Sequence, residues 1–148
     1  MKPRTLDDEI ILIPYYPNEE TALAWYQDPG VCKQVDNLDG VYSLERLRAM
    51  YGFLSTHGDC FYIQYRGRLV GDVTLRDNAE VCIVVCREYQ NRGIGRRCIR
   101  AMKELAREKG LREIRAQIYS FNLQSQRMFR AVGFEKTDEE WYRCRLDD

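Results

Sequence analysis

The chain has 148 residues, 45% hydrophobic and 31% charged, which are the proportions of one soluble globular domain. Its longest apolar run, Val81–Cys86, is too short to span a membrane, and Met1–Arg4 leads into Asp7, Asp8 and Glu9 with no apolar leader. The formal net charge is zero, yet residues 1–80 carry −5 and residues 81–148 carry +5, so the second half is expected to meet an anion and the first a cation.

The first element is a short strand, Ile10–Ile13, stopped by Pro14 and Pro17. Asn18-Glu19-Glu20 opens a helix that runs through Leu23, Trp25 and Tyr26 and stops at Asp28-Pro29-Gly30. Ser43 caps a second helix with the stripe Leu44, Leu47, Met50, Tyr51 and Leu54. Strands over Cys60–Tyr65 and Leu69–Leu75 flank Arg66-Gly67-Arg68 as a hairpin, and Asp77-Asn78 turns into Glu80–Cys86, which reads as a fully buried strand. A helix from Gly95 to Lys109 ends at Gly110. Then come a strand over Ile114–Ile118, a helix over Leu123–Ala131 closed by Gly133, and a last hairpin from Phe134 through Trp141 to Leu146. The order β-α-α-β-β-β-α-β-α-β-β predicts an α+β domain with a mixed sheet.

The cysteines, at 32, 60, 82, 86, 98 and 144, form no C-x-x-C pair, and His57 is the sole histidine. That spacing does not make a zinc site, and the pattern reads as buried free thiols of a reducing cytoplasm. Cys82 and Cys86 would share one face of their strand.

The most informative segment is Gln90-Asn91-Arg92-Gly93-Ile94-Gly95-Arg96, between a buried strand and an amphipathic helix. Its glycines permit positive φ or close backbone approach, and unpaired amides at a helix start suit a pyrophosphate. A Walker loop would continue Gly-Lys-Ser/Thr, but Gly95 is followed by Arg96-Arg97; a dinucleotide fingerprint would need glycine where Cys98 stands. What remains is Q-x-x-G-x-G after Val85-Cys86-Arg87-Glu88-Tyr89. A later segment reads Asn122-x-x-Ser125-x-x-x-Phe129-x-x-x-Gly133-Phe134.

Together these segments, in this order and with this element pattern over nearly the whole chain, resemble the GNAT acetyltransferase superfamily. The resemblance implies a mixed, mostly antiparallel sheet flanked by helices (α-β-α), with acetyl-CoA as co-substrate, an amine acceptor and no metal. It places the CoA pyrophosphate on the amides of Asn91, Arg92, Gly93, Ile94, Gly95 and Arg96, beside Gln90. It lays pantetheine along Ile83, Val84 and Val85 like an added strand, with Asn122, Ser125 and Phe129 completing the cofactor side. Arg127 or Arg130 would meet the ribose phosphate.

Trp25–Val31, the Ser43 helix and the Arg66-Gly67 hairpin loosely resemble the branch acting on protein N-termini or aminoglycosides. Many members protonate the leaving thiolate with a tyrosine at the position of Phe129, which cannot donate. Tyr119 and Ser125 are the neighbouring hydroxyls, and Glu80, at the start of the motif strand, is the candidate base. Gln117 fills the other position where the family often has a carboxylate. His57, in Ser55–Asp59, reads as loop punctuation, while Asp28, Asp36 and Asp39 are placed to attract a cation.

The expected activity is direct acetyl transfer to a primary amine: a small amine, an aminoglycoside-like polyamine or a peptide N-terminus. A cytoplasmic location follows, without nucleic-acid or membrane partners, and a homodimer is compatible with it. Phe129 and Gln117 keep open a non-catalytic CoA-binding or regulatory module of the same fold. Nucleic-acid binding through Arg96, Arg100, Lys103 and Arg107 would lack interleaved aromatic platforms.

Overall fold

The computed structural model describes residues 1–146. A two-residue strand, β1 (Arg4–Thr5), precedes β2 (Ile10–Pro14) and pairs with it. No hydrophobic alternation marks β1, so nothing in the sequence announces it. The connecting turn is closed by Asp7, whose Oδ1 accepts the N–H groups of Glu9 and Ile10 at 2.8 and 2.9 Å.

Helix α1 (Glu19–Trp25) ends where expected, but Asp28-Pro29 also begins α2 (Pro29–Asp36), a helix absent from the sequence reading. Asp28 Oδ1 accepts the N–H groups of Gly30 and Val31 at 2.8 and 3.4 Å, and Pro29 sits in the first turn. An Asp-Pro step is as good a helix start as a stop, because proline's missing N–H has no partner there anyway. Helix α3 (Leu44–Thr56) has its expected cap, the Ser43 hydroxyl accepting the Arg46 N–H at 3.1 Å.

Strands β3 (Gly58–Tyr65) and β4 (Arg68–Arg76) form the hairpin, and β5 (Val81–Val85) follows. A 3-10 turn over Arg87–Tyr89 leads to α4 (Ile94–Glu108), then β6 (Glu113–Gln117), α5 (Leu123–Ala131), β7 (Glu135–Asp138) and β8 (Trp141–Arg145).

The strands form two antiparallel sheets, β1-β2-β3-β4-β5 and β6-β8-β7. They meet through a parallel bridge between Glu80 and Arg115, where the Arg115 N–H reaches the Ala79 carbonyl at 3.0 Å. Beyond it β5 and β6 share no pairing, and a gap opens between them. Strand β5 is therefore not fully buried as expected: Cys82, Ile83 and Val85 are half-buried along that open side.

Alternation along β3 divides two cores. Phe61 and Ile63 join Val73, Ile99, Met102 and Phe129 under α4 and α5; Cys60 and Tyr62 join Tyr26, Leu47, Tyr51 and Val84 under α1–α3. The arrangement is α-β-α. All six cysteines are free; Cys32, Cys60, Cys98 and Cys144 are buried, whereas Cys82 and Cys86 are half-buried.

One close approach holds β4 against β5. A Cβ at Gly71 would lie 2.0 Å from the Val84 carbonyl oxygen, a backbone atom that cannot swing aside. Gly71→Ala is expected to lower stability by about 3 kcal/mol, the upper range for overpacking, as measured by urea denaturation.

Candidate active site

A cavity of about 670 Å³ fills the gap between β5 and β6 and reaches both cores. Its outer end is built by Gly93, Gly95, Arg96, Ser125 and Arg127, and its inner end by Tyr26, Asp36, Tyr42, Asp72, Glu80 and Tyr119. The charge asymmetry of the chain thus runs along one cavity, basic at the outer end and acidic at the inner.

The wall between them is a strand edge. Cys86 N–H donates to the Val70 carbonyl and Arg76 N–H to the Glu80 carbonyl, both at 2.8 Å, in line with the register pairing Asp72 with Val84. Hydrogen-bonded pairs alternate in an antiparallel ladder, so the backbone groups of Ile83 and Val85 point away from β4, into the gap. One of them, the Val85 carbonyl, accepts from Gln90 Nε2 at 2.9 Å.

At the outer end the first intrahelical bond of α4 is Arg97 N–H to the Gly93 carbonyl, at 3.2 Å. The amides from Gly93 to Arg96 precede it and have no partner within the helix. Gly93 caps α4 at φ 77°, in the left-handed region that glycine adopts without strain. Helix α4 and its loop offer a line of donors beside an unpaired strand edge, an arrangement suited to an extended ligand with an anionic group at one end.

The sequence matches the Acetyltransferase (GNAT) family over residues 20–134. The chain belongs to this family.

The fold agrees with solved members. A GNAT acetyltransferase from Bacillus anthracis superposes with TM-score 0.82 at 16% identity, covering 99% of this chain and 100% of that one. An acetyltransferase from Salmonella typhimurium that modifies the N-terminal serine of ribosomal protein L7/L12 gives 0.73 at 14% identity, covering 99% and 100%. The Salmonella typhimurium protein yncA, solved with its cofactor acetyl-CoA, gives 0.69 at 16% identity, covering 93% and 95%. No curated protein sequence matches this chain.

Within this GNAT domain the expected site residues fall into distinct positions. Ile83, Val84, Val85, Asn91, Gly93, Ile94, Gly95, Arg96, Ser125 and Arg127 all border the cavity. Arg92 does not; it lies on the surface, its guanidinium 5.0 Å from the centre of the Tyr89 ring. Arg130 packs on Tyr142 instead of the gap, 5.6 Å from the ring centre.

Gln90 and Asn122 border the cavity with their side chains already engaged. Gln90 Nε2 also donates to Gln34 Oε1 at 3.1 Å, and Gln124 Nε2 donates to Gln90 Oε1 at 3.3 Å, so Gln90 latches the loop to α2 and α5. Asn122 Oδ1 caps α5 by accepting the Ser125 N–H at 3.1 Å. Phe129 is a core residue, edge-on to Phe134 at 4.9 Å, that also borders the cavity.

Of the candidate catalytic groups, Tyr119 and Ser125 border the gap, and burial pushes the Tyr119 hydroxyl above its ordinary pKa, so it stays protonated at neutral pH. Glu80 stands on the inner wall with its Oε1 on Arg76 Nη1 at 2.8 Å. The acids expected to attract a cation are all paired. Asp28 holds Arg87 in two bonds of 2.7 and 2.8 Å, Asp36 holds Arg46 and Tyr42, and Asp39 meets Lys33 at 3.2 Å. His57 caps the end of α3 and stacks on Phe53 at 4.4 Å.

The residue that sequence reasoning missed is Asp72. It is 2% exposed, yet it borders the inner end of the cavity. Its Oδ2 accepts both the Tyr26 and the Tyr51 hydroxyls at 2.7 Å. The available signal was a carboxylate within the mostly apolar strand Leu69–Leu75, where a charge demands a partner or a purpose.

Among the described residues no group of three His, Cys, Asp or Glu could hold a metal ion, and no helix is long and apolar enough to cross a membrane.

Proposed function

We propose that this GNAT protein transfers acetyl from acetyl-CoA to a primary amine by direct attack. One observation carries the reading: a single cavity joins the donor-lined start of α4 to an acidic, tyrosine-rich inner end, with the free edge of β5 between them. The pyrophosphate would lie on the amides from Gly93 to Arg96, with Arg127 beside it, and the pantetheine arm along Ile83 and Val85. A Cβ at Gly95 would meet Met128 at 3.5 Å and Ile83 at 3.9 Å. Without it the helix start stays open toward the strand edge, as an extended cofactor requires.

Acetyl-CoA supplies an activated acyl group; the chain must bind and align it, keep water out and manage two protons. The backbone N–H of Val85 points into the gap and is available to a carbonyl oxygen there. The Tyr119 hydroxyl is the proposed proton donor to the departing thiolate, since Phe129 carries none. Tyr119→Phe is expected to lower single-turnover rates by about 10²-fold while leaving acetyl-CoA binding unchanged. The same loss in Ser125→Ala instead would transfer the role to serine.

The reading is tested by following CoA thiol release with a panel of primary amines. Acetylated product confirmed by mass supports it. CoA binding without turnover on any amine would leave only the non-catalytic module.

A further inference from the structure

The acidic inner end contains one carboxylate with no cation to neutralise it. Asp36 and Glu80 have Arg46 and Arg76, whereas the groups acting on Asp72 are two tyrosine hydroxyls. Both of those bonds fall on Oδ2, and Oδ1 has no protein donor among the described residues. We propose that Asp72 receives the ammonium of the acceptor amine at the inner end of the gap and takes its proton before acetyl transfer. This deepens the acetyl-transfer reading and rests on it.

Position supports the role. Asp72 lies opposite Val84 in a hydrogen-bonded pair, so their Cα atoms are about 5.5 Å apart and their side chains share a face. The carboxylate therefore stands beside the β5 segment along which the acyl donor is proposed to lie.

The surroundings favour a cation. The Tyr26 ring lies 4.8 Å from Tyr42 and 6.3 Å from Tyr51, and Tyr51 lies 5.9 Å from Tyr62; of these, Tyr26 and Tyr42 border the cavity, where aromatic surface attracts an alkylammonium group. Met50, Leu54 and Val35 add apolar wall for the stem of the amine. An acceptor with a carboxylate beside its nitrogen would bring that charge against Asp72, the cavity acid without a cation, and repulsion disfavours it. The acceptor class is thus a primary alkylammonium without a neighbouring carboxylate, which sets amino acids apart from alkylamines.

Protonation chemistry fits as well. The titratable groups facing Asp72 are Tyr26 at the end of α1, Tyr51 on α3, Cys60 and Tyr62 on β3, and Cys82 on β5. Burial pushes the Asp72 carboxyl up to about 6, against the opposing pull of the two hydroxyl bonds. In the reaction the ammonium gives one proton to Asp72 Oδ1, and the freed nitrogen pair forms the C–N bond to the acetyl carbon. The C–S bond breaks with its electrons on sulfur, the Tyr119 hydroxyl protonates that sulfur and is reprotonated by the second nitrogen proton, and Asp72 releases its own proton to water.

The test uses n-butylamine, glycine and Asp72→Asn, which keeps an oxygen for both tyrosine hydroxyls. Calorimetry without acetyl-CoA should show butylamine but not glycine binding to the wild type, with affinity at least tenfold lower in Asp72→Asn. CoA binding, read from melting shifts, should be unchanged in the variant. In the wild type, kcat/KM should rise with pH through an inflection near 6; Asp72→Asn should lose the inflection and turn over about 10²–10⁴-fold more slowly. Carboxyl-carbon NMR of the wild type should show the Asp72 titration moving to lower pH on adding butylamine, whatever the variant does.

No amine binding to the wild type, an unmoved Asp72 titration, or an intact pH profile in Asp72→Asn would each overturn the proposal. So would the loss of rate and inflection appearing in Glu80→Gln instead. Amine binding at Asp72 without turnover on any amine would support the ammonium site, overturn Asp72's proton-transfer role and end the acetyl-transfer reading.

Discussion

At pH 7 the Asp72→Asn variant is expected to be more stable than the parent protein by about 3 kcal/mol. Its side chain is wholly buried and its carboxyl is raised from 3.8 to about 6, so the folded state disfavours the charge that the unfolded chain carries freely. The sign follows from proton counting. Between pH 4 and 6 the folded protein holds the Asp72 proton and the unfolded chain has lost it, so stability falls as pH rises through that window and levels off above it. Asparagine is neutral throughout, which removes this slope. It still accepts from Tyr26 and Tyr51, and its added N–H groups face the cavity, so the substitution leaves no donor in a dry core. Urea denaturation of both proteins from pH 4 to 8 checks this: the two should converge near pH 4 and separate toward pH 7. Equal stability at pH 7 would mean that the buried charge costs the fold nothing. A carboxylate kept in place at such a cost is what a site tuned for function rather than stability looks like.

Gly93→Val is expected to abolish stabilisation by acetyl-CoA. At a hundredfold excess over Kd, a ligand that binds only the folded state adds about 2.7 kcal/mol, and the wild type should show that gain as a higher Tm. A Cβ at Gly93 meets nothing within 4 Å, so the variant has room to fold. The residue sits at φ 77°, however, where a β-branched side chain costs about 1–3 kcal/mol, and relief of that strain would turn the following amides away from their common direction. The expected result is a modestly lower Tm without ligand and no shift with it. A wild-type shift in Gly93→Val would move the pyrophosphate elsewhere, and no shift in the wild type would remove acetyl-CoA from the proposal altogether.

Much of the architecture is written locally. The stripe of α4, the Ser43 cap of α3, the glycines closing α4 and α5, and the hairpin at Arg66-Gly67 are all signals within a few residues of the elements they define. Helix α2 escaped because Asp28-Pro29 carries two meanings, and which one applies depends on whether the following turn finds something to pack on. Val31 and Cys32 do, in the core under α1–α3. The open side of β5 escaped for the opposite reason: an apolar run looks the same whether a neighbouring strand pairs with it or a ligand is to lie along it.

By itself, then, the sequence determined the element order, the donor-lined loop before α4, the segregation of charge and the family. Each depends on residue type at short spacing, where backbone sterics and hydrophobic period act without help from the rest of the chain. Only the tertiary structure decided which charges are free. Asp28, Asp36 and Asp39 looked available and are paired with Arg87, Arg46 and Lys33, two of those partners lying 59 and 10 residues away. Asp72 drew no notice in the sequence and is the acid at the inner end of the cavity left without a cation, because Tyr26, 46 residues before it, and Tyr51, 21 residues before it, close over one oxygen and leave the other to the cavity. Charge compensation and burial depend on contacts between distant segments, and the sequence names the groups without saying which of them will meet.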